Sequence, residues 1–221
     1  MAIYAVQGLF SAGCLYTTYN LLEQGLNLPF FTKSEGVLNE TIKEFVDSQA
    51  IKMGLTKEVV VISIPTEALD WKYVSYGNTW LPGKVAIKVD FKVTEDNKVN
   101  FSRFGIAHQI VHIKANDHLI IPVVTLAAAL TTFVLAVNRD LLTRYLGGLG
   151  AALMTFAVLM RRAERNADQE AMKQCSKEVN QAWLNGLLER RLKGPSLSEK
   201  ILEPSIDEMI GYFQAHLDSQ K

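Results

Sequence analysis

Two histidines four residues apart, His108 and His112, lie in the stretch Phe104-Gly-Ile-Ala-His-Gln-Ile-Val-His-Ile-Lys. On a helix with 3.6 residues per turn they project from one face, about one turn apart. Paired imidazoles in this arrangement supply two ligands of a helical zinc site. Zinc helices of the pattern H-E-x-x-H carry a glutamate after the first histidine, where it serves as general base toward the zinc-bound water. Here that position is Gln109. A neutral amide cannot take the proton, so the same five residues state a metal site and remove its base.

Such a site needs a third ligand, and a carboxylate is a common one. Topology narrows the choice. Residues 119–137 form an uncharged run, and residues 145–160 form a second that contains Gly147, Gly148 and Gly150. The first run is close to the ~20 residues that span a bilayer; the second is short for a span. Small residues, Ala127, Ala128 and Ala129 against Gly147, Gly150 and Ala151, would let two such helices approach closely. The two readings are a membrane hairpin over 119–160 and a pair of buried soluble helices, and the hairpin is favoured.

A hairpin returns the chain to where it left, so the segment after it comes back beside the histidines. The first carboxylate there is Glu164, with Asp168 one turn further on the same helix face. Glu164 as third ligand and Asp168 as acceptor behind a ligand imidazole make a chemically complete set. The competing reading is a solvated acidic face among Arg161, Arg162 and Arg165, and spacing alone does not separate the two. His118 lies roughly 280° round a continuous helix from His108 and falls outside the set. It reads as an interfacial residue at the hairpin base, and His216 as a surface histidine.

The elements that must hold these residues follow from periodicity. Residues 1–33 read as an N-terminal apolar helix, a candidate anchor or an amphipathic packing helix, and residues 34–221 as one domain interrupted by the hairpin. A helix is expected over 34–54, ending at Gly54. Residues 58–65 form a β-branched run that reads as a buried strand, and residues 85–93 alternate as a half-exposed strand does. Turns are expected at Gly77-Asn78 and Pro82-Gly83. The histidine helix follows at 101–116. Past the hairpin come a polar helical stretch, a helix bearing Val179, Trp183, Leu187 and Leu188, a break at Gly194-Pro195, and an amphipathic helix over 206–216. The fold class is α+β, mostly helical, with a small sheet.

Composition sets the remaining bounds. Lysine plus arginine and aspartate plus glutamate are both 23 among 221 residues, so no charge excess points to nucleic acid. Cys14 and Cys175 make no disulfide framework and no metal-ligand spacing, and read as buried small hydrophobes.

These residues also carry a resemblance. The stretch 104–114 resembles the H-E-x-x-H helix of the HtpX and CAAX-prenyl-protease family of membrane zinc metallopeptidases. Arg161-Arg-Ala-Glu-Arg-Asn-Ala-Asp168 looks like that family's second motif, whose glutamate is the third zinc ligand. The resemblance covers roughly residues 36–205. It implies a zincin-like domain with zinc at His108, His112 and Glu164, Asp168 behind them, peptide hydrolysis by zinc-activated water, a peptide or protein substrate, and a place in the membrane.

Departures from the pattern weigh against hydrolysis. Gln109 holds the general-base position, and loss of a positioned base costs roughly 10²–10⁴-fold in rate. Val111 is bulkier than the small residue usual before the second histidine. Gly194 stands where the family's His-Pro segment has histidine, and Lys200 where it ends in arginine. A single deliberate Glu-to-Gln change explains Gln109 but not Val111 or Gly194, whereas drift to a non-catalytic relative explains all of these. The expectations are a silenced zinc metallopeptidase scaffold, a non-enzymatic zinc-binding relative that receives peptides along the strand at 85–93, or a metal-free membrane protein whose histidines only pack.

Overall fold

A computed structural model describes residues 40–64, 73–80, 85–90, 99–194 and 197–220, together with 4, 7, 8, 10–15 and 18. The element order is α1 (Glu40–Lys52), β1 (Val59–Ile64), β2 (Tyr73–Tyr76), β3 (Val85–Asp90), α2 (Val99–Ala115), α3 (Asp117–Leu135), α4 (Leu141–Gln174), α5 (Lys177–Lys193), α6 (Leu197–Leu202) and α7 (Ile206–Asp218). The expected start of the first helix, the Pro82-Gly83 turn and Pro195 lie outside the described residues.

The histidine helix α2 is the centre of the core. Phe104, Ile106, Ala107, Ile110, Val111 and Ile113 are all buried, although they point in different directions around the helix. A helix that buries apolar side chains on most of its sides lies in the interior. It packs against α1, β2, β3, α4 and α5. On α5, Trp183 stacks between Phe101 and Phe104, with ring centroids 4.5 and 4.6 Å away. Phe213 of α7 meets Phe104 edge-on at 5.2 Å.

The sheet is small and mixed, in the order β1-β3-β2. β3 pairs in parallel with β1 and antiparallel with β2. This corrects the expectation for residues 85–93: their described part, β3, is central, and β1 and β2 take both of its sides, so no peptide can add to it; residues 91–93 lie outside the described residues. Its alternation reflects one buried face, on which Val85 and Ile87 are fully enclosed. The edge strand that packs against α2 is β2.

α3 and α4 form the hairpin, and both are long and apolar enough to cross a membrane. Their apolar side chains are not gathered into a core: Val123, Val134, Leu135, Leu153, Met154 and Val158 are exposed. α4 starts at an Asp140 cap, whose carboxylate accepts from the Thr143 backbone N–H at 3.0 Å. It then runs without a break from the apolar part through Glu164 and Asp168 to Gln174, so the run and the polar stretch expected after it are one helix. Near the start of α4, Phe10 stacks on Phe133 at 5.7 Å and meets Tyr145 edge-on at 5.3 Å. The Phe10 ring occupies a notch at Gly148, where any Cβ would lie 2.9 Å from it.

Candidate metal centre

The i, i+4 spacing on α2 brings the two imidazoles together, with His108 Nε2 and His112 Nε2 3.0 Å apart. The carboxylate comes from α4. Ala163, Ala167 and Ala171 are buried, and side chains this small let α4 lie close to α2. Glu164 then reaches His108 Nε2 with Oε2 at 3.1 Å and His112 Nε2 with Oε1 at 3.5 Å. The structure thus brings together His108, His112 and Glu164, the three residues singled out by spacing and topology.

Each imidazole is held from behind. His108 Nδ1 lies 2.8 Å from Asp168 Oδ1, and the other Asp168 oxygen accepts from the Tyr212 hydroxyl. His112 Nδ1 lies 2.8 Å from Asp117 Oδ2. Carboxylates at both Nδ1 positions keep the proton there and turn both Nε2 lone pairs toward one another and toward Glu164. Three acceptor groups facing one point require a cation between them, either a proton or a metal. Ligand atoms around a tetrahedral zinc with bonds of about 2.0–2.1 Å are about 3.3 Å apart. The observed 3.0, 3.1 and 3.5 Å bracket that value, so the cluster could hold a metal ion.

The electrostatics agree. Burial opposes a charge on His108, but hydrogen bonds and charge from Asp168 and Glu164 outweigh it and raise the pKa to about 10. Burial likewise opposes charge on His112, and Asp117 and Glu164 raise its pKa. Burial disfavours the Glu164 carboxylate, yet hydrogen bonds from the two histidines hold its pKa below the usual range. Burial and the Asp168 charge push the Tyr212 pKa up, so its hydroxyl stays a donor. A pocket that holds positive charge this strongly as protons offers the same field to a metal.

Gln109 is not one of the three. Its Oε1 accepts from Ser75 Oγ on β2 at 2.7 Å, and the same Oγ lies 2.6 Å from His118 Nε2. His118 lies outside the three, as expected, although the continuous helix assumed for it does not form. Asn116 adopts a left-handed conformation, φ 57°, and ends α2. Its Oδ1 accepts from the Thr79 backbone N–H at 2.6 Å and the Thr79 hydroxyl at 2.9 Å. The chain turns there, which carries Asp117 behind His112 and sets the His118 ring 6.0 Å from the His112 ring.

Gly194 caps α5 with φ 77° and is exposed, and Lys200 is exposed on α6. Neither contacts the metal centre among the described residues. His216 bonds Gln220 at the exposed end of α7. Sequence reasoning missed Asp117, Tyr212 and Ser75. Asparagine tolerates the left-handed region, so Asn116 was the one signal for a break ahead of Asp117. Nothing in the local pattern marks Tyr212, 44 residues from its partner, or Ser75. No protein-family model matches this chain, and a search of curated proteins finds no match.

Proposed function

We propose that the chain is a membrane-embedded, zinc-binding relative of the HtpX and CAAX-prenyl-protease metallopeptidases, silenced for hydrolysis by Gln109. The observation that carries the reading is the convergence of His108 Nε2 and His112 Nε2, 3.0 Å apart, on the Glu164 carboxylate, whose Oε2 lies 3.1 Å from the first and whose Oε1 lies 3.5 Å from the second, with a carboxylate behind each imidazole. Zinc is the ion preferred by two imidazoles and one carboxylate with a remaining position open. When bound, it supplies Lewis acidity and lowers the pKa of water. His108, His112 and Glu164 would hold it, while Asp168, Tyr212 and Asp117 keep the imidazoles in the ligating tautomer. Gln109 supplies no base. The exposure of apolar side chains along α3 and α4 supports a bilayer around 119–137 and 145–160, because a soluble hairpin would bury them. Glu164 lies four residues past the second run, about 6 Å along the helix, so the centre sits close to the membrane surface.

A peptidase scaffold would receive an extended peptide or protein segment along β2, the edge strand beside α2. The second reading, a natural non-catalytic relative that binds such ligands, is favoured by the Ser75 hydrogen bond that holds the Gln109 oxygen in place. Metal analysis of the purified chain and Gln109→Glu test both. One zinc per chain, lost in His112→Ala, is expected; a metal-free chain ends the reading. Chelator-sensitive peptidase activity in Gln109→Glu identifies a silenced enzyme, and continued inactivity with zinc retained identifies the non-catalytic relative.

A further inference from the structure

We propose that Gln109 makes the metal centre a receptor for carboxylate groups. The inference rests on the metal reading above and concerns what fills the position left open on the ion.

Ser75 Oγ carries one proton and touches two partners, Gln109 Oε1 at 2.7 Å and His118 Nε2 at 2.6 Å. With the proton donated to Gln109, His118 must donate its Nε2–H to Ser75. The relay therefore runs in one direction, from His118 through Ser75 to Gln109. Ser75 is almost fully buried, 1% exposed, so water does not compete for the hydroxyl. Ser75 thus takes up the carboxamide oxygen, which leaves the N–H groups for another acceptor. Among the described residues, the two Nε2 hydrogens have no protein acceptor, and Gln109 is partly exposed. Gln109 follows His108 directly on α2, and the relay joins it to a His118 ring 6.0 Å from the His112 ring. Where a hydrolase presents a proton acceptor, this chain presents a donor.

The ion would complement that donor. Two neutral imidazoles and one carboxylate leave a divalent ion with its ligands at a net charge of +1. Among the described residues no fourth histidine, cysteine or acidic side chain joins the three, which leaves a position for an outside ligand. A carboxylate fits twice: one oxygen takes the open position, and the other accepts from the Gln109 N–H. A neutral amide carbonyl brings no charge and must serve both partners through a single oxygen, so both contacts are weaker. Glutamate at 109 would place a like charge against the incoming carboxylate. The carboxylate can come from a free peptide C-terminus or from a small organic acid.

The test uses the full chain in detergent micelles, loaded with cobalt(II), which reports its ligands through its visible spectrum. An N-acetylated dipeptide with a free C-terminal acid, the same dipeptide as its C-terminal amide, and acetate are titrated separately. The acid is expected to shift the spectrum and to bind at least about 10-fold more tightly than the amide, the value of one charge-assisted hydrogen bond. Gln109→Glu, nearly the same shape, should bind cobalt and lose about 10-fold or more of its affinity for the acid. Acetate matching the dipeptide acid supports a small organic acid as ligand; weak acetate binding beside a tight dipeptide acid supports a peptide C-terminus. Equal binding of acid and amide, or unchanged acid binding in Gln109→Glu with cobalt bound, overturns the proposal alone. Failure to bind cobalt overturns the metal reading and the proposal with it.

Discussion

His108 and His112 differ in what stands behind them. The Asp168 carboxylate is itself fixed by Tyr212, whereas Asp117 acts on His112 from just beyond the Asn116 turn. Removing a partner of this kind typically lowers metal affinity about 10–100-fold. Asp168→Asn and Asp117→Asn should each do so in competition with a chromophoric chelator. Unchanged affinity would mean that packing alone orients the rings. A second prediction concerns Cys175, buried at the α4–α5 junction. Burial pushes its thiol up to about 12, with the Lys52 charge opposing. The unfolded value is about 8.5, so the folded state binds this proton more tightly. Its stabilisation is complete below about pH 8.5 and is lost as pH rises toward 12. Thermal unfolding of Cys175→Ala should therefore depend less on pH between 9 and 11 than that of the parent chain. Parallel curves would refute the assignment. At this scale the ligands were legible because i, i+4 spacing and a hairpin are both local rules. Asp117 and His118 were not, because one backbone angle at Asn116 decides where they lie, and Ser75 comes from β2, 34 residues from its partner Gln109.

Among the elements, α5 is what presses α2 into place. Gly186 lets it do so: a Cβ there would overlap the Phe101 ring, which already stacks on Trp183. Gly186→Ala should destabilise the fold by about 1–3 kcal/mol, the usual cost of overpacking. Gly211 in α7 meets nothing within 4 Å, so Gly211→Ala should instead stabilise by about 0.5–1 kcal/mol. Melting temperatures moving in the same direction would contradict this contrast. Periodicity and caps made most helices legible, including the Gly54 stop and the last amphipathic helix. Strand order was not legible, because Val85 and Ile87 would be buried on one face of either a central or an edge strand.

For the whole molecule, the decisive feature is that α4 is one helix of 34 residues, about 51 Å long. One end lies among exposed apolar side chains and the other carries Glu164 and Asp168 against α2. From Leu141 to Glu164 is about 35 Å along the axis. On the proposed reading, with the apolar end in a bilayer and Glu164 on a metal ion, such a rod would be a lever. Tilting it by about 5° would move the carboxylate about 3 Å, more than a metal–ligand bond of about 2 Å, and helices tilt to match hydrocarbon thickness. Zinc affinity of the reconstituted chain is expected to differ between bilayers of short and long acyl chains. Equal affinities would mean that the α2–α4 packing absorbs the strain. A difference would make the lipid itself a determinant of whether the ion stays bound.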